Sequence, residues 1–238
     1  MNQFVLAFPL NVDYPAKNSA TEFAITENVK ITADTNKVII PGCIIEFSVV
    51  WNGATEGLAQ LFNEHEPISA EETAALNAHK SLLFLLGSLK SGEDLRMVNN
   101  AIMKMLSAGA LGVYMQQSGT AWTAARFREI LGDAEFPMDP WLNYLENGET
   151  LFSLGMETFG LPDICISKSA ATSGDDPQDI LSVVADSLFM DGIAAKSGTE
   201  VDGGDVGVWT LRQELKSPFA KDAPEFNRQG ILRLVKKN

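Results

Sequence analysis

Few residues in this chain carry reactive chemistry. There are two histidines, His65 and His79, and two cysteines, Cys43 and Cys165. His79 stands just ahead of the apolar run Leu82–Leu86. There it is either a proton-exchanging partner or a histidine bonded to neighbouring backbone. Asp202-Gly203-Gly204-Asp205 offers two carboxylates to a hard cation, or a glycine turn flanked by aspartates. Glu157, in Glu157-Thr158-Phe159-Gly160, adds a carboxylate that either lines a cleft or sits solvated in a loop. Cys165, between Ile164 and Ile166, reads as an inert buried thiol, since no cation lies near it in the sequence to lower its pKa. If Glu157, Asp202 and Asp205 converged with His79 as proton carrier, they would make a hydrolase or lyase site, with Mg²⁺ or Ca²⁺ as a further option.

Near misses narrow the chemistry. His65-Glu66 begins like a zinc-protease helix, but Pro67 follows and position 69 is serine, so the second ligand is missing. Lys90-Ser91 and Lys196-Ser197 lack the glycine that a phosphate loop places before its lysine. Gly109 and Gly112 follow a helical pattern rather than a strand, the wrong order for dinucleotide binding. No Gly-x-Ser-x-Gly elbow occurs. With two histidines and no Cys-x-x-Cys pair, no transition-metal site and no cofactor are expected, and no catalytic residue is assigned.

The 238 residues are 45% apolar and carry 31 acidic against 18 basic side chains, for a formal charge of −13. A chain of this size buries about 72% of its extended surface, so a substantial core is expected. The charge is uneven. Between Glu129 and Ala195 there are 13 acidic residues and one basic residue, Lys168. Such a surface repels phosphate backbones, so nucleic acid is not an expected partner. It suits either simple solubility or the steering of a cationic partner. The longest apolar run is far short of the roughly 20 residues a bilayer demands, so no membrane is expected. The first residues carry no basic region ahead of their apolar stretch, so no secretory signal is read there. Reduced thiols and a cytoplasmic location are the expectation.

Residue spacing then suggests the elements that position these groups. Phe4, Leu6, Phe8 and Leu10 alternate as a strand, with Pro9 placing it at an edge or ending it early. Residues 15–36 read as irregular, and residues 45–51 as a half-buried strand. A short helix is expected around Leu58–Phe62, and Ser69 with Glu72 marks a capping box. Leu82–Leu86 has the continuous apolar pattern of a strand covered on both faces. Helical spacing follows over Leu95–Leu106, then a strand over Leu111–Met115, implying a crossover between parallel neighbours. A helix over 121–131, a hairpin of 141–145 with 151–156 around Asn147-Gly148, and a strand at 164–166 come next. A helix capped by Asp176-Pro177 and strands at 206–211 and 231–235 complete the pattern. The expected fold is a single α+β domain, helices packed on a largely antiparallel sheet. It holds two strand–helix–strand units, with pseudo-repeated halves near 1–132 and 133–238 as a topological option.

Several ordered segments resemble a bacterial domain family known only by number, domain of unknown function four-two-six-one. They are His79-Lys80-Ser81-Leu82-Leu83, Ala110-Leu111-Gly112-Val113-Tyr114, Thr158-Phe159-Gly160-Leu161, Asp202-Gly203-Gly204-Asp205-Val206-Gly207 and Ile231-Leu232-Arg233-Leu234. The resemblance spans about residues 77–238 and adds Tyr114 to the binding candidates His79, Glu157, Asp202 and Asp205. It implies no activity. From the charge, the leading expectation is a non-enzymatic cytoplasmic binding module whose acidic segment 129–195 is the recognition face for a basic protein partner, with an immunity-type role as one form. A carboxylate-lined hydrolase or lyase, and a structural subunit of a homo-oligomer, are the alternatives.

Overall fold

Alternating large apolar residues organise the first sheet around one strand, β1 (Phe4–Leu10). The computed structural model describes residues 3–13, 21–26, 29–34, 37–133, 137–171, 174–223 and 225–237. After β1 come three short strands, β2 (Thr21–Thr26), β3 (Val29–Ala33) and β4 (Val38–Ile39), forming a small sheet in that order. Next are β5 (Ser48–Gly53), α1 (Leu58–His65), α2 (Ala70–Asn77), β6 (Ser81–Gly87) and α3 (Gly92–Ser107). Then follow β7 (Gly112–Met115), β8 (Thr120–Thr123) and α4 (Ala124–Asp133). The first large sheet has the order β5-β6-β1-β7-β8, antiparallel throughout.

The second half opens with a 3-10 turn at Asp139–Trp141 and the hairpin β9 (Asn143–Asn147) and β10 (Thr150–Leu154). It continues through β11 (Asp163–Ser167), α5 (Pro177–Phe189), β12 (Glu200–Asp202), β13 (Val208–Glu214) and β14 (Ile231–Lys236). These strands form a sheet in the order β12-β13-β14-β11-β10-β9, whose one parallel pair is β11 with β14. The fold is α+β, with helices packed against antiparallel sheets.

Five expectations change, the fifth being the edge position that Pro9 suggests for β1. Part of 15–36 is not irregular: β2 and β3 pair as a hairpin, while residues 14–20, 27–28 and 35–36 lie outside the described residues. Residues 120–123 form β8 rather than the first turn of a helix, because the strand completes a hairpin with β7. Trp141 belongs to the 3-10 turn, so the hairpin strand starts at Asn143. The strands flanking α3 are not neighbours, since β1 lies between β6 and β7.

That insertion makes β1 central, although it contains Pro9. In a strand the N–H and C=O of one residue point to the same side. The Pro9 carbonyl accepts from Leu111 N–H at 2.9 Å, so its missing donor lies on the β7 flank. The β1–β7 ladder pairs only Leu6 and Ala7, apart from an isolated bridge at Leu10, so no ladder bond is lost at Pro9.

A continuous core joins the two large sheets. It includes Phe4, Leu6, Phe8, Leu83 and Leu85 from the first, Ile164, Ile166 and Leu234 from the second, and the apolar faces of α3 and α5. The expected caps are formed. Ser69 and Glu72 make a reciprocal capping box on α2, and Asp176 accepts from Gln178 N–H at the start of α5. Gly155, with φ 107°, sits where a Cβ would fall 2.6 Å from the Trp141 carbonyl oxygen, so only glycine fits.

Candidate functional site

The apolar run 82–86 has one face in the core and one that is only partly covered. Leu83 and Leu85 point into the core, whereas Phe84 and Leu86 on the opposite face are half-buried. In the cross-strand register Phe84 pairs with Val50 and Ala7, and Ala7 with Tyr114. Helix α1 covers part of this outer face through Leu58 and Phe62, and α2 through Leu76. What is left is a groove of about 550 Å³, bounded by Ala7, Leu82, Phe84 and Tyr114 of the sheet and Leu58 and Leu61 of α1.

Strand β5 forms one rim of this groove and one end of the sheet. Its sequence, Ser48-Val49-Val50-Trp51-Asn52-Gly53, has no charge and no proline. Those are the usual devices that protect a sheet edge against pairing with another chain. Val50, on the groove face, is 47% exposed. The surrounding sequence is acidic. Residues 38–79 contain six glutamates and no lysine or arginine, and one of them, Glu66, is paired with Arg126 at 2.9 Å.

His79 is placed to shape the groove rather than to react in it. It is buried, its Nδ1 lies 2.6 Å from the Leu76 carbonyl oxygen, and its Nε2 accepts from the Thr55 N–H at 3.1 Å. Thr55 lines the groove, so the imidazole secures the loop between β5 and α1. Burial raises the Tyr114 phenol above its ordinary pKa, keeping a neutral hydroxyl beside the apolar walls.

The carboxylate candidates lie elsewhere. Asp202 ends β12 and its Oδ1 accepts from Gly204 N–H, the geometry of an aspartate closing its own turn. Asp205 is exposed in the 3-10 turn Gly204–Val206, and Glu157 is half-buried in the turn Met156–Phe159. Neither His79 nor any of these three lines the groove, the cleft at Glu66–Glu129, the cavity at His65–Tyr144 or the recess at Glu71–Arg128. Among the described residues, no group of three or more histidine, cysteine or acidic side chains is arranged to hold a metal ion. No helix among them is long and apolar enough to cross a membrane.

The acidic segment 129–195 is less uniform than its sequence. Asp163 and Asp186 are buried, each pushed up to about 7 chiefly by desolvation. Glu129, Glu146 and Asp175 pair with Arg126, Lys168 and Lys236. Five of the 13 acidic residues of the segment are thus buried or paired with a cation. Cys165 is buried in the second sheet, and burial pushes its thiol up to about 12, which leaves it unreactive.

No family model, curated protein or solved structure matches this chain. The groove was missed in the sequence because a doubly apolar strand implies cover on both faces, and α1 and α2 are too short to supply it. The signal was there: six glutamates with no lysine or arginine surround the edge strand and the two helices.

Proposed function

We propose that this chain is a protein-recognition module that takes an extended segment of a basic partner as an added strand on β5. An apolar side chain of that segment fills the groove beside Phe84 and Tyr114. The reading rests on one observation: an uncharged, proline-free edge strand borders an apolar groove within a stretch bearing only negative charge. Backbone pairing would supply affinity, the groove a choice of side chain, and the glutamates a faster encounter with a cationic surface. Neutralising a cationic protein is one form of this role. The segments resembling the numbered domain family include β6 and β7, which carry Leu82 and Tyr114 of the groove. Kinship with that family is part of the proposal.

The test compares the wild type with Val50→Lys, which puts a cation at the exposed centre of the edge. Capture is carried out at ~50 mM and ~500 mM salt, where the screening length falls from about 14 to about 4 Å. A partner held at low salt, released at high salt, lost to Val50→Lys and protecting the β5 amides from hydrogen exchange is the expected result. Recovery of no partner, or of one indifferent to Val50→Lys, overturns the proposal. A dimer with protected β5 amides replaces the basic partner with a second copy of the chain.

A further inference from the structure

A second cavity, separate from the groove, lies where the two halves of the chain meet. It measures about 280 Å³ and is bounded by His65 of α1, Arg126 and Ile130 of α4, Trp122 of β8, Asp139 of the 3-10 turn and Tyr144 of β9. This is just below the size range of about 300–1,000 Å³ typical of ligand pockets, so a small ligand suits it.

Several of the donors around it are already committed, the exposed Gln178 amide being the exception. Trp122 Nε1–H donates to the Pro140 carbonyl oxygen at 2.7 Å. Asn143 Nδ2 donates to the Ser118 carbonyl oxygen at 3.3 Å. The Arg126 guanidinium is held between Glu66 and Glu129, both at 2.9 Å. The Tyr144 hydroxyl and Ser182 Oγ hydrogen-bond at 2.6 Å. Two other wall residues carry a buried polar atom outside any hydrogen bond: Asp139 Oδ1, whose carboxyl group also meets the Ser182 hydroxyl, and His65 Nε2, whose ring meets Trp122 edge-on at 4.3 Å. An ionised carboxylate oxygen can only accept, and Nε2 of a neutral imidazole accepts in the Nδ1–H tautomer that a bound donor would select. Buried polar atoms left this way are rare and call for a donor.

Charge adds a sign to that requirement. Asp139 is raised above the usual carboxylate range by desolvation and by Asp179, and it in turn raises Asp186. His65 is lowered by burial, so it adds no positive charge at neutral pH. Among the described residues of the wall the cation is Arg126, balanced by its two glutamates. Trp122 and Tyr144 supply aromatic surface, which favours a cation over a neutral donor.

We infer that this cavity binds a small organic cation, an ammonium or guanidinium group, whose N–H donors engage Asp139 and His65. The groups facing Asp139 are Ser182, Asp179 and Asp186 from α5, Arg126 from α4, His65 from α1 and Tyr144 from β9. Binding therefore strengthens as pH rises through the titration of Asp139 and releases a proton from it.

The test titrates n-butylammonium and guanidinium against their neutral counterparts n-butanol and urea. Calorimetry is followed together with the indole N–H resonance of Trp122. The cations are expected to bind and move that resonance, and the neutral molecules to do neither. Asp139→Asn should weaken cation binding at least ten-fold, Ile130→Trp should abolish it by filling the cavity, and Glu149→Gln should leave it unchanged. Nα-acetyl-lysine methylamide separates the sources: its binding assigns the tip of a protein side chain, its exclusion a free amine. Equal binding of the neutral molecules, an unchanged affinity in Asp139→Asn, or an unmoved Trp122 resonance overturns the inference.

Discussion

The backbone N–H of Thr55 donates to Nε2 of His79 across 3.1 Å, while Nδ1 of the same ring faces the Leu76 carbonyl oxygen at 2.6 Å. A fixed donor on one nitrogen and a fixed acceptor at the other specify the Nδ1–H tautomer. The ring thereby ties the end of α2 to the loop that rims the groove. Of the two readings of His79 in the sequence, bonding to neighbouring backbone is the one that the geometry displays.

His79→Ala should therefore act on stability and on the groove together. It leaves a backbone donor and a backbone acceptor without their partner, a loss of about 2–3 kcal/mol. Urea denaturation measures the loss, and hydrogen exchange should show faster exchange at Thr55. A change under about 0.5 kcal/mol, within the range of ordinary surface substitutions, would rule out the clip.

Asp186 makes stability fall as pH rises. Its pKa is about 7 in the folded protein against an ordinary value of 3.8, chiefly through burial and then through Asp139. The folded state holds this proton more tightly than the unfolded chain does. Its stabilising contribution is full below about pH 4, declines up to about pH 7 and is lost above it. Asp186→Asn keeps the shape and removes the charge. It should be near neutral at about pH 3 and stabilise by about 4 kcal/mol at pH 8, since the pKa rises from 3.8 to about 7 and one pKa unit is worth about 1.4 kcal/mol. Equal urea midpoint shifts at both pH values would refute the assignment.

Trp141 couples the two halves. Its ring meets Phe4 of β1 edge-on at 5.5 Å and Phe159 at 6.2 Å, and its Nε1–H donates to Asn99 Oδ1 on α3 at 2.7 Å. Trp141→Phe should cost about 1–3 kcal/mol by orphaning the Asn99 oxygen, and Trp141→Ala about 3–5 kcal/mol through the cavity left. Wild type should unfold in one transition seen alike by near- and far-ultraviolet circular dichroism. Separate transitions would show that the shared core does not make the halves cooperative.

The two thiols should differ in reactivity. Cys43 is half-buried, whereas Cys165 is buried with its thiol pushed up to about 12. A disulfide reagent at pH 8 should modify one thiol in the folded protein and both only in denaturant. Rapid modification of two thiols in the native state would contradict that packing.

The local signals proved the most legible. The Ser69–Glu72 box, the Asp176-Pro177 cap, the turn at Gly148 and the long helix α3 appear where short-range spacing places them. Such features depend on a few neighbouring residues whose hydrogen bonds are completed within one or two turns. The hairpin β2–β3 is not legible because its strands, Thr21–Thr26 and Val29–Ala33, are short and their pairing depends on the opposite strand.

The candidate sites depended on long-range neighbours. The sequence by itself determined the α+β class, a large core, the negative charge and a strand with apolar residues on both faces. It could not determine that β1 would slot between β6 and β7, or that β14 would slot between β11 and β13. Those insertions leave β5 at an edge, expose half of the Phe84 face, and set residues far apart in sequence around the His65–Asp139 cavity. The physical reason is that pairing and burial depend on which surfaces meet, and a residue's type does not specify its distant neighbour.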